Sequence, residues 1–307
     1  MASEDRWGKD RKYSPPEGWG EYNKKLVKRG ELYLDLDFLD SWDNELGVMN
    51  TGKNGRPYEF PDKFIHFLGN THFLCRLPYR QLSGFVTQLS RYIPRLNPTH
   101  FTNIQKRLTG IYVIADSALD SSDEPVVIAL DSSGVKVTNR GDWMKKKWKS
   151  KKGWLKIHLA VDTKTKKIIS MKVTKETVGD NMKFKPLLRD CKKKLGKRKI
   201  KRVLADGAYD ARKCFNALDK GTDAGIKVRK NSTTKRKGSL NRKKAVLEYR
   251  ELGYEGWKEK HHYGERWAVE GTLSTFKRTF GEYVSSRTFP NVKKELLIKT
   301  AIINNIF

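Results

Sequence analysis

The sequence predicts an α/β fold in which a mixed β-sheet with flanking helices follows a small helical domain. Three observations predict it. Between residues 61 and 109, apolar side chains recur at helical spacing. Short runs rich in β-branched residues follow between 126 and 173. Beyond residue 173, strand-like and helix-like segments alternate, as they do in a sheet that is covered by helices.

Residues 1–30 are polar and contain Pro15-Pro16, so they predict a loose arm ahead of a helical domain at 31–124. Three short helices joined by polar turns would suit a helix-turn-helix module that binds DNA. A helical bundle that only packs on the next domain is the alternative. Residues 111–124 are interpreted as a linker. The apolar positions of the three helices are Phe64, Ile65, Phe67, Leu68 and Phe73, then Leu82, Phe85, Val86 and Leu89, then Ile104 and Leu108.

The second predicted domain covers residues 125–307. Strands are predicted at 126–130, 135–138, 154–161 and 168–173, a helix at 182–195 and a strand at 202–205. A helix capped by Asp210, a strand at 226–228 and a Lys/Arg-rich insertion at about 229–262 follow. The last helix, at 263–280, ends at Gly281. Strands first and alternation afterwards is the element order of a ribonuclease H-like fold.

Charge is distributed very unevenly. The net charge is +29, and residues 1–130 carry as many acidic as basic groups, so the whole excess lies in 131–307. Such a field attracts nucleic acid, with affinity that falls as salt rises. A solvated basic surface is the alternative. Residues 141–156 interleave three tryptophans with lysines, which suits contact with DNA; the alternative is a solvated hairpin with one buried tryptophan. Among these lysines are Lys145, Lys146, Lys147, Lys149, Lys151 and Lys152.

Several protein classes are disfavoured. The three cysteines, Cys75, Cys191 and Cys214, form no C-x-x-C pair and indicate reduced thiols, not a disulfide framework or a zinc site. The N-terminus is charged and polar, unlike a signal peptide. No apolar run approaches the ~20 residues that span a bilayer, so no membrane association is expected. The expected location is cytoplasmic, in association with the nucleoid.

Three carboxylates are candidates for chemistry. Asp131 and Asp206 each end an apolar run, and functional groups gather at strand ends in open sheets. Glu270 lies on the last helix, at the border between its apolar and polar faces. Together the three would repel one another and favour a divalent metal. The alternatives are two turn residues and an ordinary ion pair between Glu270 and Arg266.

The last helix also places Tyr263, Arg266 and Lys277 near Glu270 on one face. Trp267 has two interpretations, and a core aromatic residue is favoured over one that stacks on an extruded base. His261-His262 lacks partner ligands at a suitable spacing and is not interpreted as a metal site.

The motifs resemble those of DDE transposases from bacterial or archaeal insertion sequences, in particular the insertion-sequence-five and insertion-sequence-four groups. The first carboxylate stands in Ala-Leu-Asp131-Ser-Ser and the second in Asp206-Gly-Ala-Tyr209. The third stands in Tyr263-x2-Arg266-x3-Glu270-x6-Lys277, which matches the Tyr-Arg-Glu-Lys signature at every spacing. Gly179-Asp180 and Leu77-Pro-Tyr-Arg80-Gln-Leu-Ser-Gly84-Phe are also similar. The resemblance covers roughly residues 31–307.

This resemblance implies two Mg²⁺ ions, with Mn²⁺ as an alternative, about 3.5–4 Å apart on the scissile phosphate. Asp131 would bridge the ions, and Asp206 and Glu270 would each hold one. Water would nick the transposon end, and the freed 3′-OH would attack target DNA. Tyr263, Arg266 and Lys277 would contact phosphates of double-stranded DNA, on which a homodimer would assemble. Two other functions stay open: a catalytically idle DNA-binding protein derived from a transposase, and a metal-dependent nuclease.

Overall fold

A computed structural model describes residues 18–110, 124–137, 153–235 and 238–306. A five-stranded sheet forms its centre, with the strand order β3-β2-β1-β4-β5. The predicted mixed sheet with flanking helices is confirmed. The strands are β1 (Val126–Lys136), β2 (Trp154–Asp162), β3 (Ile168–Lys175), β4 (Ile200–Ala205) and β5 (Asp223–Ile226).

Strand β1 is the centre of this sheet, antiparallel to β2 and parallel to β4. Strands β2 and β3 pair antiparallel, and β4 and β5 pair parallel. The prediction of separate strands at 126–130 and 135–138 is wrong. Residues 126–136 form the single strand β1, because β2 pairs with it without interruption from Ile128 to Lys136. Asp131 therefore lies inside a strand and not after its end.

Helices cover both faces of the sheet. On one face, α6 (Phe184–Leu195) and α7 (Arg212–Phe215) bury side chains such as Leu187 and Phe215. On the other face, α9 (Trp267–Phe280) and α10 (Phe289–Ile306) bury Phe276 and Leu296. Each such apolar side chain contributes roughly 1.5–3 kcal/mol when it leaves water. The sheet is thus the middle layer of three, and α10 is a helix that the sequence pattern did not indicate.

The N-terminal helices form a core of their own around Phe38, Trp42 and Phe64. Within 18–30, where a loose arm was predicted, the chain is helical. Helices α3 and α5 pack against α10, and α3 also against α9. The helices are α1 (Gly18–Glu31), α2 (Trp42–Asn50), α3 (Asp62–Leu74), α4 (Tyr79–Leu89) and α5 (Phe101–Gly110).

Asp210 does not cap a helix as predicted. Helix α7 follows Ala211, and the Asp210 carboxylate instead accepts hydrogen bonds from Arg242, Ser232 and the Arg229 N–H. This network ties α8 (Leu240–Lys260), within the Lys/Arg-rich insertion, to the end of the sheet. Strand β5 occupies 223–226, three residues before its predicted position.

Several predicted segments lie partly outside the described residues. The residues concerned are 1–17 of the arm, 111–123 of the linker, 138–152 with most of the Trp/Lys-rich segment, and 236–237 of the insertion. Among the helices that the structure does describe, none is long and apolar enough to cross a membrane.

Candidate active site

Asp131 and Asp206 lie at matching positions on neighbouring strands. The last pair of the parallel β1–β4 ladder is Leu130 and Ala205, so each aspartate is the next residue of its chain. Neighbouring strands run about 4.8 Å apart, which brings the two residues together where β4 ends beside β1. The Asp206 carboxylate also accepts the Ala208 N–H at 2.9 Å, which starts a short 3-10 turn.

Arg266 joins Glu270 to this point. Its Nη2 donates to Glu270 Oε1, and its Nη1 lies 3.7 Å from Asp131 Oδ2. The predicted helical ion pair between Arg266 and Glu270 therefore exists, but the guanidinium also faces a second carboxylate on a different element. All three side chains are partly buried, with exposed fractions of 18% for Arg266, 22% for Asp131 and 33% for Glu270.

The pKa of Asp131 also reflects how close Asp206 and Glu270 lie to it. Burial raises it, and the negative charges of Asp206 and Glu270 raise it further, to about 6. The Ser132 N–H and Arg266 act in the opposite direction and do not cancel these effects. Because a nearby carboxylate penalises the ionised form of another, the three predicted residues share one electrostatic environment.

The donor atoms of this site suit a hard cation. Within the described residues, no three His, Cys, Asp or Glu side chains are already arranged as a metal-binding group. The Tyr209 hydroxyl, on a side chain 1% exposed, has no hydrogen-bond partner there. Burial raises its pKa, and the charges of Asp180, Asp131 and Asp206 do so as well. Carboxylates near an unpartnered hydroxyl fit a hard divalent cation, which prefers oxygen ligands.

Asp180 is a site residue that the reasoning from separate carboxylates missed. Ser132 Oγ, next to Asp131, donates to Asp180 Oδ1 at 2.8 Å, and Lys156 Nζ donates at 3.1 Å. His158 Nδ1 lies 3.5 Å from the same oxygen, and burial holds the pKa of His158 down at about 4. Asp180 therefore links Ser132, the neighbour of Asp131, to Lys156 on β2. The only sequence signal for it was the Gly179-Asp180 resemblance.

The other residues of the last helix differ in surroundings. Tyr263 is buried, and its hydroxyl donates to the Ala205 carbonyl at 3.4 Å. Lys277 Nζ lies 3.8 Å from Glu282 Oε1. Trp267 is 73% exposed, so the favoured interpretation of a core residue is wrong. Its backbone begins α9, and the apolar face of that helix starts at Val269.

The lysine-rich segment and the His261-His262 pair also stood out in the sequence. Lys145, Lys146, Lys147, Lys151 and Lys152 lie outside the described residues. His261 forms hydrogen bonds with Asp223 and Glu248, which raise its pKa although burial opposes them. It therefore links β5 to α8 through one carboxylate on each side.

An α/β fold with clustered carboxylates on a strongly basic chain is the arrangement expected of an enzyme that acts on phosphodiesters. The sequence matches a family model described as "Transposase DDE domain" over residues 122–305. A second model of the same description matches residues 27–140. The first match covers more than half of the chain, so this chain belongs to the DDE transposases, enzymes of DNA transposition and recombination.

A search of solved structures found a likeness to the piggyBac transposase in a cryo-EM structure of its synaptic complex with hairpin DNA. The sequences are 13% identical, and the match covers 92% of this chain and 73% of that chain. The TM-score is 0.39, which is too low to define a shared fold.

Proposed function

We propose that this transposase cuts transposon-end DNA with the help of Mg²⁺ and joins the freed 3′-OH to target DNA. The convergence of Asp131, Asp206 and Glu270 around Arg266 is the observation that supports it. We also propose that the sheet is ribonuclease H-like. The strand order β3-β2-β1-β4-β5 favours this, as does the element order, with three antiparallel strands before the parallel ones.

In this proposal the three carboxylates hold the metal, and Asp131 stands between the other two. When bound, Mg²⁺ would activate the attacking oxygen and neutralise charge on the leaving oxygen. Arg266 has a different part. In the structure it balances the charges of Asp131 and Glu270, and with DNA in place its guanidinium would turn to a phosphate, which it matches in geometry.

Tyr263 would hold Arg266 in position and would not itself contact DNA. Its hydroxyl is engaged with the Ala205 carbonyl, and the Arg266 guanidinium lies 5.6 Å from its ring centre. Burial raises the pKa of Tyr263 to about 12, so the hydroxyl keeps its proton. The Tyr263 ring would thus pack against the Arg266 guanidinium, between the end of β4 and the start of α9.

Two further side chains of this helix, together with a basic segment, would hold the DNA. Trp267 presents its ring to solvent one residue after Arg266, where a base drawn out of the duplex can stack on it. Lys277 and the lysines of residues 145–152 would contact phosphates as point charges. The N-terminal helices would add a helix-turn-helix-like contact, and two copies of the chain would bridge the two transposon ends.

A cleavage assay tests the assignment of the three carboxylates. Purified protein is mixed with Mg²⁺ and duplex DNA that carries the terminal repeats. Asp131→Asn, Asp206→Asn and Glu270→Gln should each lower the cleavage rate by at least about 10²–10³-fold, the usual loss for one removed electrostatic stabiliser. Binding of DNA without metal should persist, because removal of negative charge does not weaken phosphate contacts.

Glu265→Gln is the matched control. Glu265 lies in the turn before α9, five residues before Glu270, and accepts a hydrogen bond from Thr163 at the surface. It should cleave like the wild type. Full cleavage by any of the three site variants would overturn the assignment. Cleavage without joining would indicate the nuclease, and binding without cleavage by the wild type would indicate the idle DNA-binding protein.

A further inference from the structure

A basic cleft lies between the N-terminal helices and the segment that joins α9 to α10. Its volume is about 780 Å³. Arg76 and Arg80 line it from the N-terminal side, and Arg287 and Lys294 line it from the other. Asp131, Asp206 and Glu270 are not among its lining residues. We propose that this cleft binds the phosphate backbone of duplex DNA, at a place separate from the carboxylate site.

The four cations are available for a ligand. All four are exposed, and none forms an ion pair with a carboxylate among the described residues. Glu295 is the one acidic side chain among the described lining residues, and it is occupied elsewhere. The four positive charges that line the cleft repel one another, and a bound anion would relieve this repulsion. A polyanion is therefore the partner class that fits this cleft.

The N-terminal wall is built by a segment that the site chemistry leaves unused. Leu77-Pro-Tyr-Arg80 opens α4, and the Arg80 guanidinium lies 5.0 Å from the ring centre of Phe101 on α5. Arg76 has a φ of 54°, a left-handed conformation that a residue with a side chain seldom adopts. Such backbone persists only where the surroundings impose it, and it occurs often at ligand clamps. Residues 1–130 have no net charge, so these arginines are a local feature.

The opposite wall is held by a buried ion pair. Glu295 accepts the N–H groups of Ser285 and Ser286 and forms an ion pair with Lys299 at 2.7 Å. Burial would raise the pKa of Glu295, but Lys299 and the two N–H groups outweigh it and hold the pKa below its ordinary value. The loop that carries Arg287 is thereby fixed against α10, so its cation is presented from a rigid base.

The cleft is joined to the carboxylate site by β1. Lys136, at the end of this strand, exchanges backbone hydrogen bonds with Glu282 and Val284, on either side of the lining residue Tyr283. From Asp131 to Lys136 the strand advances by roughly 16 Å. Duplex DNA rises 3.4 Å per base pair, so this distance corresponds to about five base pairs. One duplex can thus reach both the cleft and the carboxylate site. This inference rests on the proposed function, because it takes DNA as the substrate.

Binding without divalent metal tests this proposal. The double variant Arg287→Gln/Lys294→Gln is titrated with a terminal-repeat duplex and an unrelated duplex of equal length, in EDTA, over a range of salt. Two lost phosphate contacts should reduce the salt slope of log K by about 1.8 and weaken binding about 60-fold at 0.1 M salt. A loss on both duplexes identifies a general backbone contact, and a loss on the terminal repeat alone identifies the transposon end; both outcomes support the cleft.

Lys193→Gln/Lys197→Gln is the control with the same charge change. These lysines are exposed at the end of α6, which covers the opposite face of the sheet. A further variant, Arg287→Lys/Lys294→Arg, keeps both charges and should restore the slope. Wild-type binding by the neutralised variant, or an equal loss in the control, would overturn the proposal. Because no cleavage is measured, failure here leaves the carboxylate assignment standing.

Discussion

Removal of one partner from the buried pair of Glu295 and Lys299 should be one of the most destabilising single changes in this fold. Each residue is 4% exposed, and Oε1 and Nζ are 2.7 Å apart. At an effective dielectric constant of 20, the attraction at that distance is about 6 kcal/mol before desolvation. Removal of one partner from such a pair costs about 3–5 kcal/mol, because the remaining charge is buried without compensation.

Glu295→Gln and Lys299→Met should therefore each lower the free energy of unfolding by roughly 3–5 kcal/mol. The double variant removes both charges, keeps an amide oxygen for the Ser285 and Ser286 N–H groups, and should lose less than the sum of the single variants. Urea titration at pH 7, followed by circular dichroism, measures all four proteins. Strictly additive losses, or single variants as stable as the wild type, would refute this account of the pair.

The dependence on pH has a defined sign. The pKa of Glu295 in the folded protein is held below its ordinary value of 4.5. A carboxyl group of this kind stabilises the fold above its unfolded pKa, and the contribution is lost as pH falls through the folded pKa. The difference in unfolding free energy between the wild type and Glu295→Gln should thus be full at pH 7 and shrink in acid. A difference that grows in acid would contradict the assigned direction.

Three further predictions concern other parts of the molecule. Trp267→Ala should raise the free-energy barrier of single-turnover cleavage by ~1–3 kcal/mol, the contribution of one base–aromatic stack. The unfolding midpoint should stay unchanged, and an altered midpoint would indicate a structural role. Gly225→Ala should cost about 1–3 kcal/mol in urea titration, because its Cβ would lie 2.4 Å from Leu204 Cδ2 in the sheet; an unchanged midpoint would show that the core adapts freely. His261→Gln should destabilise most below pH 6.5 and progressively less as pH rises through the raised folded pKa, since the pairing with Asp223 needs the imidazolium; thermal unfolding at pH 5.5 and 8.5 decides it.

The carboxylate site was partly predictable from sequence. The apolar run ahead of Asp206 correctly placed this residue at a strand end, and helical spacing put Glu270 beside Arg266. The run ahead of Asp131 was misleading, because the strand continues past it to Lys136. The adjacency of β1 and β4 could not be predicted from local patterns, because strand order is set by packing between distant segments and leaves no periodic signal. The motif resemblance provided that link, which the separate patterns could not.

Other features depended on tertiary contacts that local patterns do not carry. Helix α10 contains Glu295 and Lys299 at buried positions, so its apolar periodicity is interrupted by charges that satisfy each other. The exposure of Trp267 depends on where α9 meets the sheet, and the buried face of this helix begins two residues later, at Val269. Asp180 follows β3 and approaches Ser132 only because β1, β2 and β3 lie side by side.

The position of Asp131 inside β1 affects how the centre can adapt to a substrate. Its backbone pairs with Leu159 of β2, in the middle of the sheet, whereas Asp206 opens a turn and Glu270 lies in the first turn of a helix. Backbone in a central strand opens only with most of the fold, while turns and helix ends yield at far smaller cost. In the proposed reaction, one carboxylate would therefore stay in place, and the other two would shift by tenths of an ångström around it.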